Sequence, residues 1–99
     1  MSQLDLAPQH EKIIRHILST SLPVNVQVWV FGSRVKGNAK PYSDIDLAID
    51  VGHVMPLSLL AKLSDAFEES DLPFRVDVVD WLTISDSFRE HINTHKVRF

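Results

Sequence analysis

No cysteine occurs in the 99-residue chain, which excludes a disulfide framework and cysteine-ligated zinc. The apolar runs fall far short of the ~18 residues a membrane span needs. The first residues, MSQLDLAPQHEK, lack the cationic region and apolar core of a signal peptide. A soluble cytoplasmic protein with no membrane partner is therefore expected. With a net formal charge of −3 there is no basic field to draw in a polyanion, which argues against direct nucleic-acid binding. Internal repeats, low-complexity stretches and linkers are missing too, and so are the spacings of the phosphate-binding GxxxxGK[ST] and dinucleotide-binding GxGxxG motifs.

What is present is the composition of a folded protein, 44% apolar and 23% charged. The length suits one domain over residues 1–99, burying roughly 60–70% of its unfolded surface around one modest core. Ile13, Ile14, Ile17 and Leu18 recur at helical spacing and predict a helix over about 9–20, with Pro8 tolerated in its first turn. Alternation predicts strands over Val24–Phe31 and Asp44–Val51, and a third over Phe74–Val79. Leu60, Leu63 and Phe67 mark a helix over Leu57–Glu69. Thr83-Ile-Ser-Asp86 has the form of a capping box with Thr83 as N-cap, opening a last helix to about Asn93. Val97-Arg98-Phe99 has the makings of a short edge strand. The loop between the first two strands is too short for a helical crossover, so they are expected to be antiparallel neighbours in a mixed sheet. The fold class is α/β (α+β), a small mixed sheet with helices mainly on one face.

Strand alternation also sorts the acidic residues. In SDIDLAID, Ile45, Leu47 and Ile49 must face the helices, which turns Asp44, Asp46 and Asp50 to the opposite face. On the third strand Val76 and Val78 point inward, and Asp77 joins the aspartate face. Asp44 and Asp46, two residues apart, are close enough to share a cation, whereas Asp50 lies too far along and Asp80 falls on the wrong face or past the strand. A lone DxD is commonly a solvated face. Carboxylates repeated on adjacent strands, however, repel one another unless a cation compensates. Hard oxygen donors of this kind select Mg²⁺, with Mn²⁺ the alternative, and Asp44, Asp46 and Asp77 are the candidate metal ligands and catalytic residues.

Gly32-Ser33 ends the first of these two strands. A glycine there lets a phosphate approach the backbone, and Ser33 has a hydroxyl and an N–H to donate, more so if 34–36 form a helical turn closed by Gly37. Arg34, Lys36 and Lys40 are placed to balance triphosphate charge. The expected nucleotide-binding set is Gly32, Ser33, Arg34 and Lys36, with Ser43 just ahead of the aspartate pair. Alone, Gly-Ser is more often a plain strand-ending turn; its conjunction with the aspartates is what points to a site.

Gly32-Ser33, ten residues, Asp44-Ile-Asp46, and then Asp77 in an apolar strand resemble the signature of the DNA polymerase β superfamily of nucleotidyltransferases. The short GSRVKG…SDIDLAID and RVDVVD forms are most similar to its minimal nucleotidyltransferase (MNT) branch. Val35 departs from that pattern, where alanine is common. The resemblance implies a nucleotidyltransferase fold, ATP as substrate with Mg²⁺, and nucleotidyl transfer with pyrophosphate leaving. It implies that Gly32 and Ser33 hold the triphosphate, that Asp44 and Asp46 bind metal, and that Asp77 binds metal and helps deprotonate the acceptor. It also implies an antitoxin that adds AMP to a tyrosine of a HEPN-domain toxin. The competing expectations are a non-catalytic neutralising protein of the same fold, and a nucleotidyltransferase subunit acting on a small molecule or an RNA end. So short a chain leaves no room for an acceptor-binding domain, so another chain, in a homo- or hetero-oligomer, is expected to bring the acceptor.

His91 and His95 are four apart, a spacing that suits a metal, but they lack a third ligand and are expected as exposed helix residues. Trp29 and Phe31 share the aspartate face, where adenine stacking competes with core packing.

Overall fold

The computed structural model describes residues 4–37, 39–40 and 42–99. Helix α1 (Pro8–Ser21) leads into β1 (Gln27–Phe31), the single-turn α2 (Ser33–Lys36) and β2 (Ile45–Asp50); α3 (Leu57–Glu68), β3 (Val76–Asp80), α4 (Asp86–Asn93) and β4 (Val97–Arg98) follow. The strands form one sheet in the order β3-β2-β1-β4. β1 is antiparallel to both β2 and β4, and β2 and β3 run parallel across the α3 crossover. The sheet is thus mixed, as the loop lengths require. Among the described residues no helix is long and apolar enough to cross a membrane.

α1 starts at Pro8, whose missing N–H costs nothing in a first turn, and turns Ile14, Ile17 and Leu18 inward. With Leu63 and Phe67 of α3 they cover one face of the sheet, burying Val28, Val30, Ile45, Leu47 and Ile49 between them. The other face carries a smaller cluster of Phe31, Ala48 and Ile92, with Trp29, Val79, Trp81, Ile84 and Phe88 around it. α4 therefore roofs half of the aspartate face and leaves the other half open. Phe31 packs edge-on to Phe88, and Trp29 lies against Trp81 with the Lys96 ammonium over both rings. Trp29 and Phe31 of β1 thus pack under Trp81 and Phe88 on this face.

Several boundaries differ from expectation; β3, for one, runs Val76–Asp80 and not Phe74–Val79. β1 begins at Gln27 because Asn25 takes a positive φ of 67° and breaks the alternation, leaving Val24 87% exposed. The N-cap of α4 is Ser85, whose hydroxyl accepts from Phe88 N–H at 3.2 Å. Thr83 instead donates its hydroxyl to the Asp80 carbonyl in the turn after β3. Finally, Asp44 sits one residue ahead of β2 and not inside it.

The two excluded carboxylates have structural work. Buried Asp80 accepts from Met55 N–H at 2.7 Å and Leu82 N–H at 3.1 Å, tying the approach to α3 to the end of β3. Asp50 accepts from Gly52 N–H at 2.8 Å in the turn that leaves β2.

Candidate active site

The antiparallel register sets Phe31, the last residue of β1, opposite Asp46 on β2, and the parallel register sets Asp46 opposite Asp77 on β3. Asp46 is therefore the centre of the site, with the glycine–serine turn on one side and the β3 carboxylate, Asp77, on the other. Asp44 stands exposed at the entrance to β2.

Half-buried Asp46 has its pKa raised from 3.8 to about 6, first by burial and then by the negative charges of Asp77 and Asp44. A carboxylate strained in this way gains most from a bound cation, and the donors are hard oxygens, so the set fits a divalent ion such as Mg²⁺. The side chains do not form a closed cage. Asp77 Oδ1 is turned to Arg75 at 3.3 Å, and among the described residues no three carboxylates or imidazoles are gathered tightly around one point.

Gly32 adopts φ 84° and ψ −154°, a conformation open to glycine and strained for other residues. A Cβ added there would also collide with Asp46 Oδ2, so the turn and the central carboxylate are in direct contact. Val35 and Lys36 N–H both donate to the Gly32 carbonyl, and Gly37 closes the α2 turn in the left-handed region. Gly32→Ala meets both penalties. Its expected result is a loss of about 2–3 kcal/mol in chemical denaturation and of nucleotidyl transfer by ~100-fold or more.

Ser33 is half-exposed beside the turn, and Lys36 is exposed on α2. Arg34 corrects its sequence assignment. It is only 5% exposed, and its guanidinium faces the interior rather than a phosphate. Nε and Nη2 both donate to the Ser43 carbonyl, at 3.2 and 2.7 Å, Nη1 donates to the Asp5 carbonyl at 3.1 Å, and Cζ lies 4.5 Å over the Phe74 ring. Arg34 thus clamps the backbone immediately ahead of Asp44. Ser43 is likewise committed to the loop, its hydroxyl accepting from Lys40 N–H at 2.7 Å and its own N–H donating to the Lys40 carbonyl.

His95 is the contact that sequence reasoning missed. It lies beyond the end of α4, half-buried, and its Nε2 accepts from Gly32 N–H at 2.9 Å. No local signal links positions 32 and 95; the pairing of β4 with β1 brings them together.

The family described as Polymerase beta, Nucleotidyltransferase matches residues 11–98, which include every site residue above. The chain is 52% identical over 93 residues to the Probable protein adenylyltransferase MntA of Haemophilus influenzae, covering 92% of this chain and 79% of that protein. A solved toxin–antitoxin structure with AMP-PNP superimposes with a TM-score of 0.67 at 25% identity, over 89% of this chain and 70% of that one. A structure described as a minimal nucleotidyltransferase superimposes at 0.68 and 26% identity, over 92% and 90%.

Proposed function

The chain belongs to the polymerase β nucleotidyltransferase family, and from that premise we propose that it is a single-domain cytoplasmic adenylyltransferase that moves AMP from ATP to a tyrosine hydroxyl of a HEPN-domain toxin, serving as its antitoxin. The observation that carries this reading is the unbroken line from Gly32 through Asp46 to Asp77, which puts a phosphate-capable turn in contact with a cation-seeking carboxylate. The similarity to a protein adenylyltransferase and to a toxin–antitoxin structure supports the choice of acceptor.

In this reading Ser33 and Lys36 hold the triphosphate, the serine by hydrogen bonding and the lysine as a point charge. Asp44, Asp46 and Asp77 would hold Mg²⁺, or Mn²⁺ in its place. When bound, that ion supplies Lewis-acid stabilisation of charge on the phosphoryl oxygens. The acceptor oxygen attacks the α-phosphorus in line, the bond to the bridging oxygen breaks and pyrophosphate departs. Asp77, at the sheet edge, accepts the hydroxyl proton.

Incubation with ATP, Mg²⁺ and the partner toxin, followed by intact mass spectrometry of the toxin, tests the proposal. The expected result is a gain of one or more AMP units on the toxin, lost with Asp46→Asn. No gain, or an equal gain from the variant, overturns it.

A further inference from the structure

We propose that His95 is a positioning residue for the nucleotide: by accepting the Gly32 N–H it fixes the glycine–serine turn in the conformation that receives phosphate. The inference rests on the nucleotide reading above.

The hydrogen bond defines its own tautomer. Because Nε2 accepts from Gly32 at 2.9 Å, the ring proton sits on Nδ1, which donates to Thr94 Oγ1 at 3.1 Å; that hydroxyl in turn donates to the His91 carbonyl at 2.6 Å. The relay anchors the imidazole to the last turn of α4 and fixes which way it points. The Phe31 ring, 6.5 Å away on β1, and the His91 ring, 5.3 Å away on α4, flank it.

A neutral imidazole is required, since a second ring N–H would oppose the Gly32 N–H. The net effect of its surroundings favours neutrality: burial lowers its pKa first, then the charge of Lys36 on α2 and that of His91 on α4, against the smaller opposing effect of the His91 backbone. The Asp46 carboxylate occupies the space that a Cβ on Gly32 would take. Gly32 thus has its N–H bound to His95, and Asp46 leaves no room for a side chain there. With its own N–H taken, the Phe31–Gly32 peptide plane is set, and with it the direction in which the chain enters Ser33 and the α2 turn. Losing the acceptor frees a glycine, the residue with the widest backbone freedom, and the ordering would then have to be done by the nucleotide itself.

The test uses the full chain with Mg²⁺ and AMP-PNP, measuring Kd by calorimetry and recording the Gly32 amide in ¹⁵N–¹H spectra. His95→Phe keeps a ring of similar size and removes the acceptor; His95→Gln restores an acceptor oxygen. The expected result is a Kd about tenfold weaker in His95→Phe and within about threefold of wild type in His95→Gln. The Gly32 amide is expected to keep its slow hydrogen exchange in wild type and His95→Gln and to lose it in His95→Phe. Wild-type binding matched by folded His95→Phe overturns the positioning role alone. Wild type that binds no nucleotide overturns the nucleotide reading and this role with it. If His95→Phe does not fold, His95→Gln decides: binding tenfold weaker despite a retained Gly32 hydrogen bond overturns the inference, and near-wild-type binding supports it.

Discussion

Asp46→Asn is expected to lose nucleotidyl transfer by about 1,000-fold or more and, at pH 7–8 without divalent ions, to melt at a higher temperature than wild type. The two effects share one cause. Asp46 titrates near 6 in the folded protein against an ordinary 3.8, because burial, Asp77 and Asp44 all disfavour its charge. The folded state therefore holds this proton more tightly than the unfolded one, and stability falls as pH rises between about 4 and 6 and is level above. The asparagine variant has no such slope, so its advantage vanishes below about pH 4. A shift of two units corresponds to about 3 kcal/mol at most; in a half-exposed site solvent screening leaves about 1 kcal/mol, or roughly 5 °C in a domain of this size. Adding Mg²⁺ is expected to raise the melting temperature of wild type and leave Asp46→Asn unmoved. Thermal melts across pH 3.5–8 with and without Mg²⁺ check both statements. A variant less stable than wild type at neutral pH would show that Asp46 is satisfied by the protein alone.

Arg34→Met should produce the largest loss of stability. The substitution strands the Ser43 and Asp5 carbonyls, removes a cation from the Phe74 ring and leaves the buried site underfilled. At about 1 kcal/mol for each part-buried carbonyl left without its donor, with the underfilled site adding a similar amount, a loss of about 3 kcal/mol and of about 15 °C in Tm is expected. Arg34→Lys should recover less than half of it, since one ammonium cannot reproduce the fork that spans two carbonyls. Transfer assayed well below the variant's Tm should still fall about tenfold, because the chain ahead of Asp44 is no longer held. A residue that only bound phosphate would give the reverse pattern: unchanged melting, a raised KM for nucleotide, and rescue by lysine.

The same two residues mark how far the sequence could be read. The aspartate face followed from period-two alternation, because a strand with Ile45, Leu47 and Ile49 in the core has no choice about where Asp46 points. The antiparallel pairing follows from loop length; Asp50, set aside on distance, and Asp80, set aside on its face or strand end, accept hydrogen bonds from Gly52 N–H and from the Met55 and Leu82 N–H groups respectively. Arg34 was misdirected because composition records that a cation is present but not which way its side chain turns. Its partners are backbone carbonyls at positions 5 and 43, and carbonyls leave no trace in residue identity. His95 was invisible for a related reason: its partner is the N–H of a residue 63 positions away. The N-cap of α4 is contested by two hydroxyl residues two positions apart, Thr83 and Ser85, and Thr83 is drawn into the turn at Asp80, a competition that only tertiary placement resolves.

The contact between Gly32 and Asp46 bears on anyone wishing to redesign this enzyme. Position 32 lies in the turn after β1 and position 46 in β2, in separate halves of the signature, yet they compete for one volume of space, so they behave as a single locus. A library that diversifies the turn while holding the aspartate constant will be dominated by clashes. One that varies both positions together, with a smaller side chain at 46 opposite any side chain added at 32, samples the combinations that can assemble. Transplanting the turn onto another scaffold would fail unless the neighbouring strand travels with it.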